Sequence, residues 1–127
     1  MGEPSALIRA LFDRSVHDDV ELTIEDARRF DAVVSAEPSY LPFDPTGTRT
    51  RGSTRLKCTA TRETYAEHAL PSAELVVEAV ERRVWDEPTL NVYDPATKPT
   101  RENADRIVES RWRVLGELIG IEVRNEE

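Results

Sequence analysis

The segment from Ser53 to Asp86 constrains the fold most, because the spacing of its apolar residues changes along its length. Between Leu56 and Ala60 every second residue is apolar, which is typical of a strand with one buried face. Across residues 72–86 the apolar residues recur at three- and four-residue steps, and Ser72 is a suitable N-cap. The sequence therefore predicts a strand followed by an amphipathic helix, and the two elements must share one core.

The remaining patterns predict an α+β fold in which a small mixed sheet is packed by three to four helices. Helices are expected over residues 4–16, over residues 24–36, and over a long C-terminal stretch from Thr100 to about Gly120. Short strands are expected at residues 20–24 and 89–93, with a last strand or tail after residue 120. Phe30 to Ser35 is an alternative strand, because β-branched residues cluster there. At 127 residues the chain is expected to be a single domain, 1–127.

Residues 37–53 are predicted to form an extended loop, since they hold three prolines and two glycines. The loop also carries Tyr40, Leu41 and Phe43, which a plain linker would not need. Loops of this length in compact domains are usually functional or disordered. We therefore expect these three residues to contact a partner.

The charge pattern separates one basic segment from an acidic chain. The formal net charge is −8, and only Lys57 and Lys98 among 17 basic residues are lysines. This composition suits a high-salt cytoplasm, and it disfavours general binding to nucleic acid. Residues 43–62 nevertheless hold five bases and one acid. The bases that complete the predicted interface are Arg49, Arg51, Arg55, Lys57 and Arg62.

No catalytic or cofactor motif is recognised, so the chain is predicted not to be an enzyme and to need no metal or cofactor. Residues 47–54 have the glycine spacing of a P-loop but lack its lysine. The clusters at residues 17–19 and 63–68 do not match a known metal-ligand spacing. Cys58 is expected to be a buried core residue. There is no signal-peptide pattern and no apolar run long enough for a membrane span, so a virion or cytoplasmic protein is expected.

The order of elements resembles the neck proteins of tailed viruses, namely the tail-terminator, tail-completion and head–tail connector proteins. The resemblance lies in a short N-terminal helix at Ser5 to Val16, the strand Arg55 to Ala60, the connection Tyr65-Ala66-Glu67 and the helix expected from Ser72 to Asp86. It implies a structural protein of a halophilic host's virus that forms a homo-oligomeric ring and contacts neighbouring virion proteins. DNA would pass through such a ring with at most passive contact, and neither a membrane nor a small-molecule substrate would be involved.

A winged-helix DNA-binding regulator of a halophilic archaeon is the alternative. It would use residues 24–36 as its recognition helix, with Arg28 and Arg29 facing the DNA. That segment also holds three acids, which is unusual for a DNA-reading helix.

Overall fold

The computed structural model describes residues 6–41, 52–81, 85–94 and 112–124, and this part of the chain is mostly β-structure. It contains a seven-stranded sheet and two short helices. In chain order the elements are α1 (Ala6–Phe12), β1 (Asp19–Ile24), β2 (Arg29–Val34), β3 (Ser39–Leu41), β4 (Gly52–Ala60), α2 (Arg62–Glu67), β5 (Glu74–Glu81), β6 (Thr89–Tyr93) and β7 (Trp112–Val123).

Six of the strands close into an antiparallel barrel with an up-and-down order. β1 pairs with β2, β2 with β4, β4 with β5, β5 with β6, β6 with β7, and β7 returns to β1. The seventh strand, β3, pairs with the first half of β4. It lies on the same side of β4 as β2, which pairs with the second half of β4. Every barrel strand thus has two neighbours, which removes the open edges that invite aggregation.

The barrel interior is filled by alternate residues of its strands. In β4 the residues at every second position from Gly52 to Ala60 are buried, whereas the residues between them are partly or fully exposed. A six-stranded barrel is narrow enough for side chains to fill it completely. The main core residues are Val20, Leu22, Ile24, Phe30, Ala32, Val34, Leu56, Cys58, Leu75, Val77, Leu90, Val92 and Leu118.

The two helices cover opposite ends of the barrel. α1 packs against β7 and β4 and buries Ile8 and Leu11 at the end where β2 stops and β4 starts. α2 follows β4 at the other end, where Thr61 caps it by accepting a hydrogen bond from the Thr64 amide. The Thr64 hydroxyl accepts a hydrogen bond from the Asp31 amide, which ties α2 to β2.

Strand β7 is the longest and carries two irregularities. Where β7 pairs with β6, the register shifts at Leu115, which has no partner residue on β6. Where β7 pairs with β1, the register shifts at Ile119, which has no partner residue on β1. Such bulges bend a strand and increase its twist, which helps a sheet to close. Gly116 lies at the bend, where an added Cβ would meet the Ile24 Cδ1 atom at 3.0 Å.

The predicted α+β class, with three to four helices around a small mixed sheet, is wrong. The helix expected over residues 72–86 is wrong over residues 74–81, which form strand β5 with Leu75, Val77 and Ala79 pointing inward; residues 82–84 lie outside the described residues. The backbone of β5 forms its hydrogen bonds with β4 on one side and with β6 on the other. Ser72 does not cap a helix; its hydroxyl donates to the Tyr93 carbonyl at 2.6 Å.

The helix expected over residues 24–36 is also wrong, and the alternative strand at Phe30 to Ser35 describes this region better. Residues 24–34 form the β1–β2 hairpin, in which Phe30 and Val34 enter the core and Ala27 occupies the left-handed region at φ 72°. The β-branched residues at the end of this segment favour the strand.

The long C-terminal helix is wrong over residues 112–120, which belong to β7, and residues 100–111 lie outside the described residues. The apolar residues that the predicted helix would have placed on one face lie on both sides of the strand, since Leu118 is buried whereas Val114 is exposed. The strands expected at residues 20–24, 55–60 and 89–93 are confirmed as β1, β4 and β6, and a shorter form of the first helix is confirmed as α1. The expected loop at 37–53 contains β3, and residues 42–51 lie outside the described part.

Candidate functional site

The thiol of Cys58 is the nucleophilic group within the described barrel core. Its side chain points inward from β4 and is almost fully buried. Burial in an apolar surrounding raises the pKa of Cys58 to about 12, so the thiol stays protonated at neutral pH. A protonated and inaccessible thiol is a poor nucleophile, which leaves Cys58 as a core residue.

The end of the barrel near α1 is covered by three aromatic rings. The centroids of Phe12, Tyr40 and Trp85 lie 5.9–6.0 Å from one another. Beneath them the Tyr40 hydroxyl donates a hydrogen bond to Glu81 Oε1 at 2.9 Å, and Glu81 is only 5% exposed. Desolvation and the neighbouring Glu81 raise the pKa of Tyr40. This end is therefore covered by the packed rings and by a partly buried hydrogen bond between Tyr40 and Glu81.

The two histidines lie in separate structural contacts. The His68 ring stacks on Phe30 with centroids 4.3 Å apart, and its Nε2 lies 2.9 Å from the Arg29 carbonyl oxygen. The amide of His17 donates to the Val34 carbonyl at 2.9 Å. Within the described ranges, no group of three or more His, Cys, Asp or Glu side chains is arranged to hold a metal ion.

The outer surface of β4, here called the β4 wall, consists of the outward side chains Ser53, Arg55, Lys57 and Thr59. Arg55 Nε lies 2.6 Å from Glu78 Oε2 on β5, although half of the Arg55 side chain remains exposed. Lys57 is exposed, and the residue directly opposite it on β5 is the apolar Val76. The β4 wall thus presents two cations and no acid of its own.

The outer surface of β7, here called the β7 wall, consists of Val114, Glu117, Ile119 and Glu122. The register shows their outward direction, since Val114, Glu117 and Glu122 stand opposite outward residues of β6 and β1. Val114 is 62% exposed and Ile119, at the bulge, is 57% exposed. Two large aliphatic side chains therefore stand in solvent beside two carboxylates.

The cations on β7 are used within the subunit. Arg113 pairs with Asp94, whose side chain is nearly buried. Arg124, directly after β7, pairs with Glu21 on β1 and, at 3.2 Å, with Asp31 on β2. These contacts leave the β7 wall apolar and acidic.

The residues predicted for an interface are not brought together in one patch. Tyr40 lies in the aromatic cluster near α1, Arg55 and Lys57 lie on the β4 wall, and Arg62 starts α2 at the other end of the barrel. Leu41 pairs through its backbone with Ser53. Phe43, Arg49, Arg51 and the side chain of Leu41 lie outside the described residues.

The β7 wall was missed because the sequence pattern assigned Val114 and Ile119 to the buried face of a helix. The available signal was the pair of glycines at 116 and 120, since glycine is unfavourable inside a helix and, in a strand, often marks a bulge or a close backbone approach. In the structure both glycines lie within the strand, and Gly116 allows close approach to Ile24.

Comparison with protein-family models, with curated proteins and with solved structures finds no match to this chain. In the described part of the chain, neither helix has the length and apolar character that crossing a membrane requires.

Proposed function

We propose that this chain is a structural assembly protein that forms a ring of identical copies as a neck component of a tailed virus with a halophilic host. The observation that carries the proposal is the exposure of Val114 and Ile119 on the outside of a barrel whose interior is filled. Within the described residues the exposed chemistry lies on these outer surfaces, which favours assembly over catalysis.

The energetic argument concerns the two aliphatic side chains. Fully burying a valine or isoleucine side chain stabilises by about 1.5–3 kcal/mol, so docking of another surface on the β7 wall is favourable. Kosmotropic salts strengthen apolar contacts, and any salt at high concentration screens repulsion between acidic chains. Assembly through this wall therefore suits a protein of net charge −8 that works in molar salt.

Three of the four sequence features that resemble the neck proteins of tailed viruses support the neck role. The short N-terminal helix is α1, the basic strand is β4, and Tyr65-Ala66-Glu67 lies in the following helix α2. The helix expected after this connection is instead β5, so the role depends on the first three features and on the exposed β7 wall. The winged-helix alternative loses its recognition helix, because residues 24–34 form a hairpin.

Light scattering of the purified chain in molar and in low salt tests self-assembly. We expect a discrete multiple of the 14.4 kDa mass in molar salt and partial dissociation in low salt. A monomer under both conditions would overturn the proposal.

Electron microscopy of the assembled species tests the neck role separately. A closed ring with a central opening wide enough for duplex DNA supports it. Compact clusters or open filaments would contradict the neck role, although they would leave self-assembly in place.

A further inference from the structure

We infer that the copies associate head to tail, with the β4 wall of one subunit on the β7 wall of the next. This inference rests on the proposed self-assembly and names its contact surfaces. The β4 wall presents Arg55 and Lys57, and the β7 wall presents Val114 and Ile119 beside Glu117 and Glu122.

The positions of the two walls favour this arrangement. Around the barrel the strands follow the order β1, β2, β4, β5, β6, β7, so three steps separate β4 from β7 in either direction. The two walls therefore face opposite sides of the subunit. A contact between different surfaces on opposite sides continues from copy to copy, and it closes into a ring when the rotation allows.

Charge complementarity identifies the occupant as another copy of this chain. The residue opposite Lys57 on β5 is Val76, so neither the β4 wall nor that neighbouring position supplies a carboxylate. On the β7 wall, Glu117 stands opposite Thr89, an uncharged residue. The two arginines at the ends of β7 are already paired with acids of their own subunit. Lys57 on the β4 wall can thus meet Glu117 on the β7 wall of the next copy, whereas Arg55 is already paired with Glu78 of its own subunit.

The apolar part of the contact is also matched. The long aliphatic stems of arginine and lysine cover apolar surface while their charged ends stay in water. In the proposed contact the aliphatic stem of Lys57 covers Val114 of the neighbouring copy. A β7-to-β7 contact would instead place Glu117 and Glu122 against the same acids of the partner, which is unfavourable.

Two blocking variants and their mixture test the arrangement by light scattering. Lys57→Glu disables the β4 wall only, and Val114→Asp disables the β7 wall only. Each variant alone is expected to be monomeric at the lowest salt concentration at which the wild type assembles, since molar salt would screen the contact of Lys57 with Glu117. An equal mixture is expected to give a 1:1 dimer and nothing larger, because one intact pair of walls remains.

Matched controls separate this effect from general surface change. Arg62→Glu and Tyr65→Asp alter an exposed cation and an exposed aromatic ring on α2, outside the residues that define the two walls, and they should assemble like the wild type. Circular dichroism and urea midpoints check that each variant is folded. If Val114→Asp does not fold, Val114→Thr keeps the β-branched shape and should weaken association about fivefold per contact.

The outcomes also separate this inference from the proposed function. A wild-type chain that stays monomeric contradicts self-assembly itself. A wild type that assembles while Lys57→Glu still forms dimers, or while the mixture stays monomeric, overturns only the pairing of the β4 wall with the β7 wall.

Discussion

Replacing Arg124 by methionine tests the charge balance at the seam where β7 meets β1. Asp31, Glu21 and Glu122 stand directly opposite one another on β2, β1 and β7, so three carboxyl groups form one outward row. Like charges in directly opposed positions destabilise a sheet, and Arg124 is the cation that contacts Glu21 and Asp31. Methionine keeps most of the aliphatic stem and removes the charge.

The two contacts of Arg124 differ in burial, and the expected magnitudes follow from this difference. The Glu21 side chain is 11% exposed and that of Arg124 is 47% exposed, whereas both partners are about half exposed in the contact with Asp31. Breaking a buried pair costs about 3–5 kcal/mol and an exposed pair about 0.2–1 kcal/mol. For this half-exposed arginine we expect Arg124→Met to lower the free energy of unfolding by about 2 kcal/mol.

Urea unfolding in molar salt at neutral pH, followed by circular dichroism, measures the effect. Double-mutant cycles with Glu21→Gln and Asp31→Asn divide it between the two partners. The coupling of Arg124 to Glu21 is expected at about 1.5 kcal/mol and that to Asp31 below about 0.5 kcal/mol, since salt screens the exposed pair. Equal couplings, or a loss below about 0.5 kcal/mol in Arg124→Met, would refute this reasoning.

Three further predictions concern single residues. Cys58 keeps its thiol proton up to a pKa of about 12 when folded but loses it near 9.0 when unfolded, so stability falls as pH rises from about 9 to 12. The free energy of unfolding then falls by up to about 1.4 kcal/mol per pH unit, and this fall should be absent from Cys58→Ala. A thiol reagent should modify Cys58 only in the unfolded chain. Ala27→Gly should raise the free energy of unfolding by about 0.5–1 kcal/mol, because φ is 72° there; an unchanged urea midpoint would contradict this. Tyr40→Phe should lower the free energy of unfolding by about 1–2 kcal/mol, because it removes the hydrogen bond to buried Glu81. The variant should also lose less stability than the wild type as the pH rises above the ordinary pKa of tyrosine, because it has no phenol to ionise.

The strands that alternate cleanly were predictable from the sequence, and the strands with apolar residues on both sides were not. Leu56 and Cys58 alternate with charged or polar neighbours, so the strand period is unambiguous. In β5, Leu75 and Val77 point inward while Val76 and Val80 lie on the outer side, so the same residues also fit a helical period. Pairing with two neighbouring strands decides between the periods, and that information is not local.

Of the two walls of the proposed contact, the β4 wall was predictable from the sequence and the β7 wall was not. The cations of the β4 wall were predicted, because Arg55 and Lys57 lie at alternate positions of a recognisable strand. The β7 wall depends on Val114 and Ile119 being in a strand whose partner β1 lies about a hundred residues earlier in the chain. A local pattern cannot reveal such a pairing, and the bulges at Leu115 and Ile119 further interrupt its period.

The closure of the barrel by β7 has a consequence for synthesis on the ribosome. Translation proceeds from the N-terminus, so β1 and β6 each wait with one unpaired edge until residues 112–124 emerge and pair with both. Unpaired edges are templates for pairing with other nascent chains. A translation product that stops before β7 would keep both edges, and it would aggregate rather than form a smaller barrel.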